Sequence, residues 1–212
     1  MPEFLAAVRT LLLLRHGQTS WNHERRIQGH TDSQLDELGH AQARAAAKEI
    51  AALRPARIWT SDLARAADTA DYVAEASGLD PTPDPRLREY ALGPRQTMTH
   101  AEYAAAHPEE WAEFRRGHFD VVPGGEKTVD VAARTTASLR ELLAATAPGE
   151  LSVAVTHGAA AKVAIAASLG WDLSEALTLG GLDNGCWAIL AESPVTGRLR
   201  LAAYNAAAPV SD

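Results

Sequence analysis

Two histidines in this chain are placed alike. His16 follows the apolar run 10–14, sits beside Arg15 and precedes Gly17. His157 follows the apolar run 151–156 and precedes Gly158. A neutral imidazole is a competent nucleophile toward phosphorus, and His16 is the candidate. A phosphomonoester dianion also needs positive charge around its oxygens and a proton for the leaving oxygen. Arg15 and Arg65 can supply the charge, because arginine stays ionised and its fork matches phosphate oxygens. They would also disfavour imidazolium and so keep His16 neutral near pH 7. Glu89 is the candidate for the proton. A carboxyl beside a bound dianion takes up a proton more readily, and after the alcohol leaves it can activate water. A charge pair at 4 Å is worth about 4 kcal/mol at an effective dielectric near 20, against about 0–1 kcal/mol on an open surface. The reading therefore demands a partly closed pocket. Taken singly, Arg65 reads as a solvated helix residue and Glu89 as a surface charge. The argument rests on their combination.

The elements that must position these groups are legible from periodicity and punctuation. Runs 10–14, 57–60 and 151–156 read as buried strands, with late strands over 186–191 and 198–204. A helix is expected over 39–53, with Ala43, Ala46, Ile50 and Leu53 on one face and Pro55 closing it. Ser61 and Asp62 offer N-caps for a second helix ending near Gly78. Residues 79–86, with three prolines, read as a loop or edge segment. Helices are expected over 128–147 and from Gly158 to about Leu169. The stretch 91–125 is irregular, with helical pieces near 99–106 and 109–116 and a turn at Pro123-Gly124-Gly125. It reads as a cap-like insertion in a single domain spanning 1–212. A mobile tail is expected over 206–212. Strands alternating with helices imply an α/β fold with a largely parallel sheet, whose ligands bind beyond the carboxyl ends of the strands. Both histidines fall there.

The whole chain of 212 residues carries a net charge of -7, which argues against nucleic-acid binding by phosphate neutralisation. Its apolar runs are far shorter than the ~20 residues a bilayer needs, and residues 1–10 do not read as a signal peptide. One cysteine, Cys186, excludes an intrachain disulfide and fits a reducing compartment, so a cytoplasmic protein is expected. Eight histidines raise the question of a metal, but no metal-ligand spacing and no glycine-rich nucleotide loop is present. No metal and no cofactor are expected.

Several separated blocks resemble the histidine phosphatase superfamily, the phosphoglycerate mutase-like proteins. They are Leu14-Arg15-His16-Gly17-Gln18-Thr19 with Trp21-Asn22 and Arg26-Ile27-Gln28-Gly29, then Thr60-Ser61-Asp62-Leu63-Ala64-Arg65-Ala66, then Leu87-Arg88-Glu89. Pro123-Gly124-Gly125-Glu126 and Val155-Thr156-His157-Gly158 complete the set. The resemblance spans nearly the whole chain in family order. It implies a three-layer α/β/α sandwich with a small inserted cap and metal-independent hydrolysis through a phosphohistidine at His16. It also implies that Arg15, Arg65 and His157 clamp the phosphoryl oxygens and that Glu89 is the proton donor. Asn22 and Gln28 would line the phosphate pocket, and Gly158 would sit against the phosphate. Homodimers are common in this family. Two departures stand out. Gly93 is followed by Pro94-Arg95-Gln96 where many members carry a tryptophan, and Lys127 stands where serine often follows Gly-Gly-Glu. Mutases of the superfamily carry a Glu-Arg-His-Tyr-Gly block where this chain reads Glu89-Tyr90-Ala91-Leu92-Gly93, which favours a hydrolase over a 2,3-bisphosphoglycerate-dependent mutase. Among the phosphatases, Asp130-Val131-Ala132-Ala133-Arg134, Leu179-Gly180-Gly181-Leu182 with Asn184 and Trp187, and the ending with Asn205-Ala206 resemble the branch acting on glucosyl-3-phosphoglycerate. That branch implies a small phosphorylated metabolite as substrate and a role for Leu182 in shaping its site. Alternatives are a non-catalytic member that binds a phosphorylated ligand and a protein-phosphotyrosine phosphatase.

Overall fold

A computed structural model describes residues 8–209. Strand β1 (Thr10–Arg15) leads through the short helix α1 (Ser20–His23) to α2 (Glu37–Ala52). β2 (Arg57–Thr60), α3 (Ala64–Ser77) and β3 (Pro81–Pro83) follow. Then come α4 (His100–Ala106), α5 (Pro108–Phe114), α6 (Thr128–Ala145), β4 (Leu151–Thr156) and α7 (Gly158–Leu169). β5 (Trp187–Glu192) and β6 (Leu199–Ala206) end the fold. The six strands form one sheet in the order β3-β2-β4-β1-β5-β6. The first four in that order are parallel, β5 runs antiparallel to β1, and β6 runs antiparallel to β5 and so along the direction of the first four. The sheet is therefore largely parallel, as expected. The proline-rich segment 79–86 supplies the edge strand β3, where missing amide donors cost least.

Helices cover both faces because β1 is apolar without alternation. Leu12 and Leu14 pack with Ala46, Ala47 and Ile50 of α2 and with Ala66, Ala70 and Val73 of α3. Leu11 and Leu13 point the other way, onto Leu139 and Leu142 of α6 and Ala164 and Ile165 of α7. This gives the three layers. A separate cluster joins Ile27, Tyr90, Leu92 and Tyr103 to Val131 of α6 and Val163 of α7, and so seats α4 and α5 beside the sheet's carboxyl edge.

Two local expectations are corrected. Ser61 and Asp62 do not cap α3; its N-cap is Leu63, with no side-chain bond. Asp62 is drawn instead to Arg88, at 2.6 and 2.5 Å, and Ser61 turns inward to the site. The tail does not begin at Ala206, which pairs with Trp187 in the sheet, while Ala208 packs on the core. Residues 210–212, and residues 1–7 of the segment read as lacking a signal, lie outside the described residues. The family tryptophan after Gly93 has a substitute. Arg95 pairs with Glu110 of α5 at 2.7 and 2.9 Å and lies 5.4 Å from the Tyr103 ring centre, tying the loop to both cap helices. At the other departure, Lys127 is the N-cap of α6 without a side-chain cap. Asp120 takes over by accepting Thr128 N–H at 2.6 Å.

Candidate active site

Parallel pairing of β1 with β4 brings the two histidines together. Arg15 lies opposite Thr156, so the next residue of each strand, His16 and His157, emerges at the same level. Their ring centres are 5.1 Å apart. Gly17 is required here by close approach. A Cβ on it would lie 2.3 Å from the Gly39 carbonyl oxygen, because the loop after β1 crosses the start of α2. Asn184 ties the same loop down, donating to the His16 and Gly17 carbonyls at 3.0 and 3.2 Å.

The protonation of His16 follows from its neighbours. Nδ1 lies 2.7 Å from the Gly17 carbonyl, which can only accept, so Nδ1 carries the hydrogen. On the other side Arg65 Nε donates to Nε2 at 3.3 Å, so Nε2 presents its lone pair. Burial, then Arg65 and Arg15, hold the His16 pKa well below 6.5, and the ring is neutral.

Arg65 enters from the start of α3 and is buried. Its remaining donors reach the Thr31 and Gly29 carbonyls at 3.0 and 2.8 Å. Burial pulls its pKa down to about 10, which leaves it charged at neutral pH. Arg15 donates from Nη1 to the Leu182 carbonyl at 2.6 Å. Gly158 is the floor under it: a Cβ there would sit 3.3 Å from Arg15 Cζ and Nε. His157 is fully buried, with Nε2 2.8 Å from Ser61 Oγ. Ser61 Oγ also accepts Leu63 N–H at 3.4 Å, and we assign its hydroxyl hydrogen to Nε2. That places the ring hydrogen of His157 on Nδ1. Burial first, then Arg65, His16 and Arg15, keep this ring neutral too.

Two buried nitrogens in the site have no hydrogen-bond partner among the described residues, Arg15 Nε and His157 Nδ1. Buried polar groups rarely go unpaired, and both of these suit an anionic oxygen. Glu89 reaches the same pocket from the loop after β3. Its Oε1 accepts the Tyr90 and Ala160 amides at 3.0 and 2.8 Å, and Oε2 accepts only that of Ala159, at 3.0 Å. The start of α7 thus holds the carboxylate. Arg15, His16, Asn22, Gln28, Arg65 and Glu89 line one cavity of about 200 Å³. Among the described residues, no three His, Cys, Asp or Glu side chains group as a metal site would.

On the periphery one expectation is adjusted, that for Leu182, while Asn22 lines the pocket. The Leu182 side chain does not shape the pocket. It is buried with Ala161 and Cys186, and only its carbonyl serves the site, through Arg15. Asn22 Oδ1 accepts Thr19 N–H at 3.1 Å, closing the cap of α1, so its amide group is the part available to the pocket. Arg116 and Arg95 are ion-paired with Glu113 and Glu110.

Sequence reasoning missed Arg134 as a support. From α6 it donates to the carbonyls of Arg86, Arg88 and Glu89 at 2.8, 2.6 and 2.8 Å, while Glu126 accepts from its Nε and Nη2 at 2.6 and 2.8 Å. Glu126 also accepts Ala91 N–H at 3.1 Å. This pair fixes the loop that carries Glu89. The only advance signal was Arg134 and Glu126 standing in family-like blocks. Arg134→Lys keeps the charge but loses the fork. It is expected to lower kcat about 10- to 100-fold, the scale of an ångström-sized misplacement. Glu126→Gln keeps one acceptor oxygen but turns the other into a donor facing the Arg134 fork or the Ala91 amide, and should lower kcat on the same scale. Steady-state kinetics check both, and an unchanged kcat in Arg134→Lys would contradict the role.

The two neutral histidines also make stability depend on pH. Both have native pKa values below 6.5, so the unfolded chain binds more protons as pH falls through that value. Their effect is nil above it and destabilising below it, by up to about 1.4 kcal/mol per pH unit for each ring. Thermal melts should show Tm falling between about pH 7 and pH 5. His157→Gln should flatten the fall, and an equal slope in the variant would refute this source.

Two histidines and two arginines gather beyond the carboxyl ends of the parallel strands, and the fold is phosphoglycerate mutase-like. The chain belongs to the histidine phosphatase superfamily (branch 1), whose family model matches residues 11–205. It is similar to a glucosyl-3-phosphoglycerate phosphatase of Mycobacterium tuberculosis, 39% identical over 96% of this chain and 97% of that one. A solved mycobacterial glucosyl-3-phosphoglycerate phosphatase in complex with VO3 superposes with a TM-score of 0.88, at 39% identity over 94% of this chain and 100% of the other. A probable phosphoglycerate mutase of Cronobacter sakazakii is 38% identical over 74% of each chain. No helix among the described residues is long and apolar enough to cross a membrane.

Proposed function

We propose that this protein is a phosphoric monoester hydrolase working through a phosphohistidine at His16, with glucosyl-3-phosphoglycerate as its substrate. The observation that carries the mechanism is the His16 tautomer: Nδ1 is committed to the Gly17 carbonyl and Nε2 faces the cavity's guanidinium with its lone pair. In the first step Nε2 attacks phosphorus, the P–N bond forms and the P–O ester bond breaks. Arg15, Arg65 and the His157 Nδ1–H hold the non-bridging oxygens, whose charge they offset. The proton on Glu89 passes to the leaving oxygen, and Oε2, with one amide partner, is the atom placed to carry it. In the second step Glu89 takes a proton from water, whose oxygen attacks phosphorus. The P–N bond breaks, and inorganic phosphate leaves.

The substrate assignment rests on the full-length similarity to the glucosyl-3-phosphoglycerate phosphatases. The relative named as a probable mutase matches over a smaller share of the chain, and the mutase block is absent at Glu89. The test is phosphate release by metal-free protein from glucosyl-3-phosphoglycerate, 3-phosphoglycerate and p-nitrophenyl phosphate, with quenching to trap an acid-labile phosphoenzyme. A label on His16 and a preference for glucosyl-3-phosphoglycerate are expected. If that compound turns over no faster than the other two, the substrate assignment falls. If no phosphate is released and no phosphoenzyme forms, the hydrolase reading falls in favour of a binding protein.

A further inference from the structure

A second cavity, of about 330 Å³, adjoins the phosphate pocket. The two share Tyr90, Phe119 and Ala159, so whatever is esterified to the phosphate has this chamber as its neighbour. Its wall is mostly apolar, with Val163 and Leu177 joining the aromatic pair, but it contains Lys162. Lys162 lies on α7 one turn beyond Ala159, whose amide holds Glu89, and the helical repeat puts both on one side of α7. The three residues from Ala159 to Lys162 rise about 4.5 Å along the helix.

This lysine is unusual in its surroundings. Of the two arginines that line a neighbouring hollow with it, Arg116 is paired with Glu113, and Arg115, without an ion pair among the described residues, is exposed to solvent. Lys162 is half-buried, and among the described residues it makes no hydrogen bond or ion pair. Burial pulls its pKa down from 10.5, so its charge is held at a cost that an anion would offset. The acidic side chain of the chamber, Asp120, is engaged elsewhere, accepting from Thr128 N and Oγ1 at 2.6 and 2.7 Å. His118 turns to Glu113 at 2.7 Å.

We propose that this chamber receives the alcohol part of the substrate and that Lys162 binds a carboxylate on it. The enzyme then selects phosphomonoesters of hydroxy acids, with the uncharged remainder against Tyr90, Phe119 and Val163. A single ammonium offsets the one negative charge of a carboxylate, whereas a second phosphate dianion would leave a charge unopposed in a mostly apolar chamber. The inference rests on the hydrolase reading above and adds the selectivity of its leaving-group side.

The experiment compares kcat/KM for 3-phosphoglycerate with that for glycerol 3-phosphate, which differ in the carboxylate. Wild type is expected to favour 3-phosphoglycerate. In Lys162→Met, which keeps the stem and removes the charge, the ratio should fall about tenfold, the scale of one charge-assisted hydrogen bond. Lys162→Arg, with its charge kept, should hold the ratio within about threefold of wild type, and it guards against a folding defect in the methionine variant. A ratio unchanged in Lys162→Met, or equal losses on both substrates, would overturn the proposal while leaving the hydrolase reading intact. Loss of discrimination only for a bisphosphorylated substrate would also overturn it, by assigning Lys162 to a second phosphate. Absence of hydrolysis of every ester by wild type would remove the hydrolase reading and this inference with it.

Discussion

His16→Ala is expected to abolish phosphate release and the acid-labile phosphoenzyme together, with kcat down on the order of 10⁴-fold or more. The size follows from what the ring supplies. Among the described residues it is the imidazole whose Nε2 lone pair meets the Arg65 guanidinium at the pocket. Water could in principle attack a phosphate held by the remaining donors, which would leave a small residual rate without a covalent intermediate. The substitution removes a buried ring whose partners are the Gly17 carbonyl and Arg65 Nε. Tm is therefore a necessary companion measurement. A folded variant that keeps more than about one-hundredth of wild-type kcat would contradict nucleophilic catalysis by His16.

Arg65→Lys is expected to reduce kcat/KM by about 10³-fold, although the formal charge is kept. The charge is kept, so the loss is that of the fork: about two charge-assisted hydrogen bonds at about 1.5–3 kcal/mol each, with 1.4 kcal/mol being tenfold. Lysine cannot reproduce the geometry. The guanidinium simultaneously reaches His16 Nε2, the Thr31 carbonyl and the Gly29 carbonyl, so its plane is set from three directions. An ammonium would satisfy one or two of these and leave a buried carbonyl unpaired. It would also cease to hold the His16 ring in place. Losses should therefore appear in kcat as well as KM. A variant with raised KM and wild-type kcat would show that Arg65 only binds the ground state.

Most of the sheet was legible because its strands are short, apolar and bounded by charge or glycine. β1, β2 and β4 fall within a residue of expectation. The helices were legible from their apolar faces, and α2 buries Ala43, Ala46 and Ile50 as the spacing requires. Capping was less legible. Ser61 and Asp62 have the residue types of an N-cap, yet tertiary partners took both: His157 for one and Arg88 for the other. A propensity is worth about 1 kcal/mol, less than leaving a buried imidazole nitrogen or an arginine unpaired. Leu182 was misjudged for a related reason. A sequence names side chains, and here the backbone carbonyl does the work.

The sequence by itself determined the chemical inventory and its order along the chain: histidine after strand, twice, two arginines, one carboxylate, and glycine where a side chain would collide. It determined the family as well, because those blocks recur in a set order that few folds could share by accident. Only the tertiary structure decided the tautomers, since a ring hydrogen is assigned by partners that lie far away in sequence, Arg65 for His16 and Ser61 for His157. It alone decided that Arg134 supports Glu89 and that Lys162 faces a cavity without an ion-pair partner among the described residues. Those are properties of proximity and burial, which local spacing does not encode.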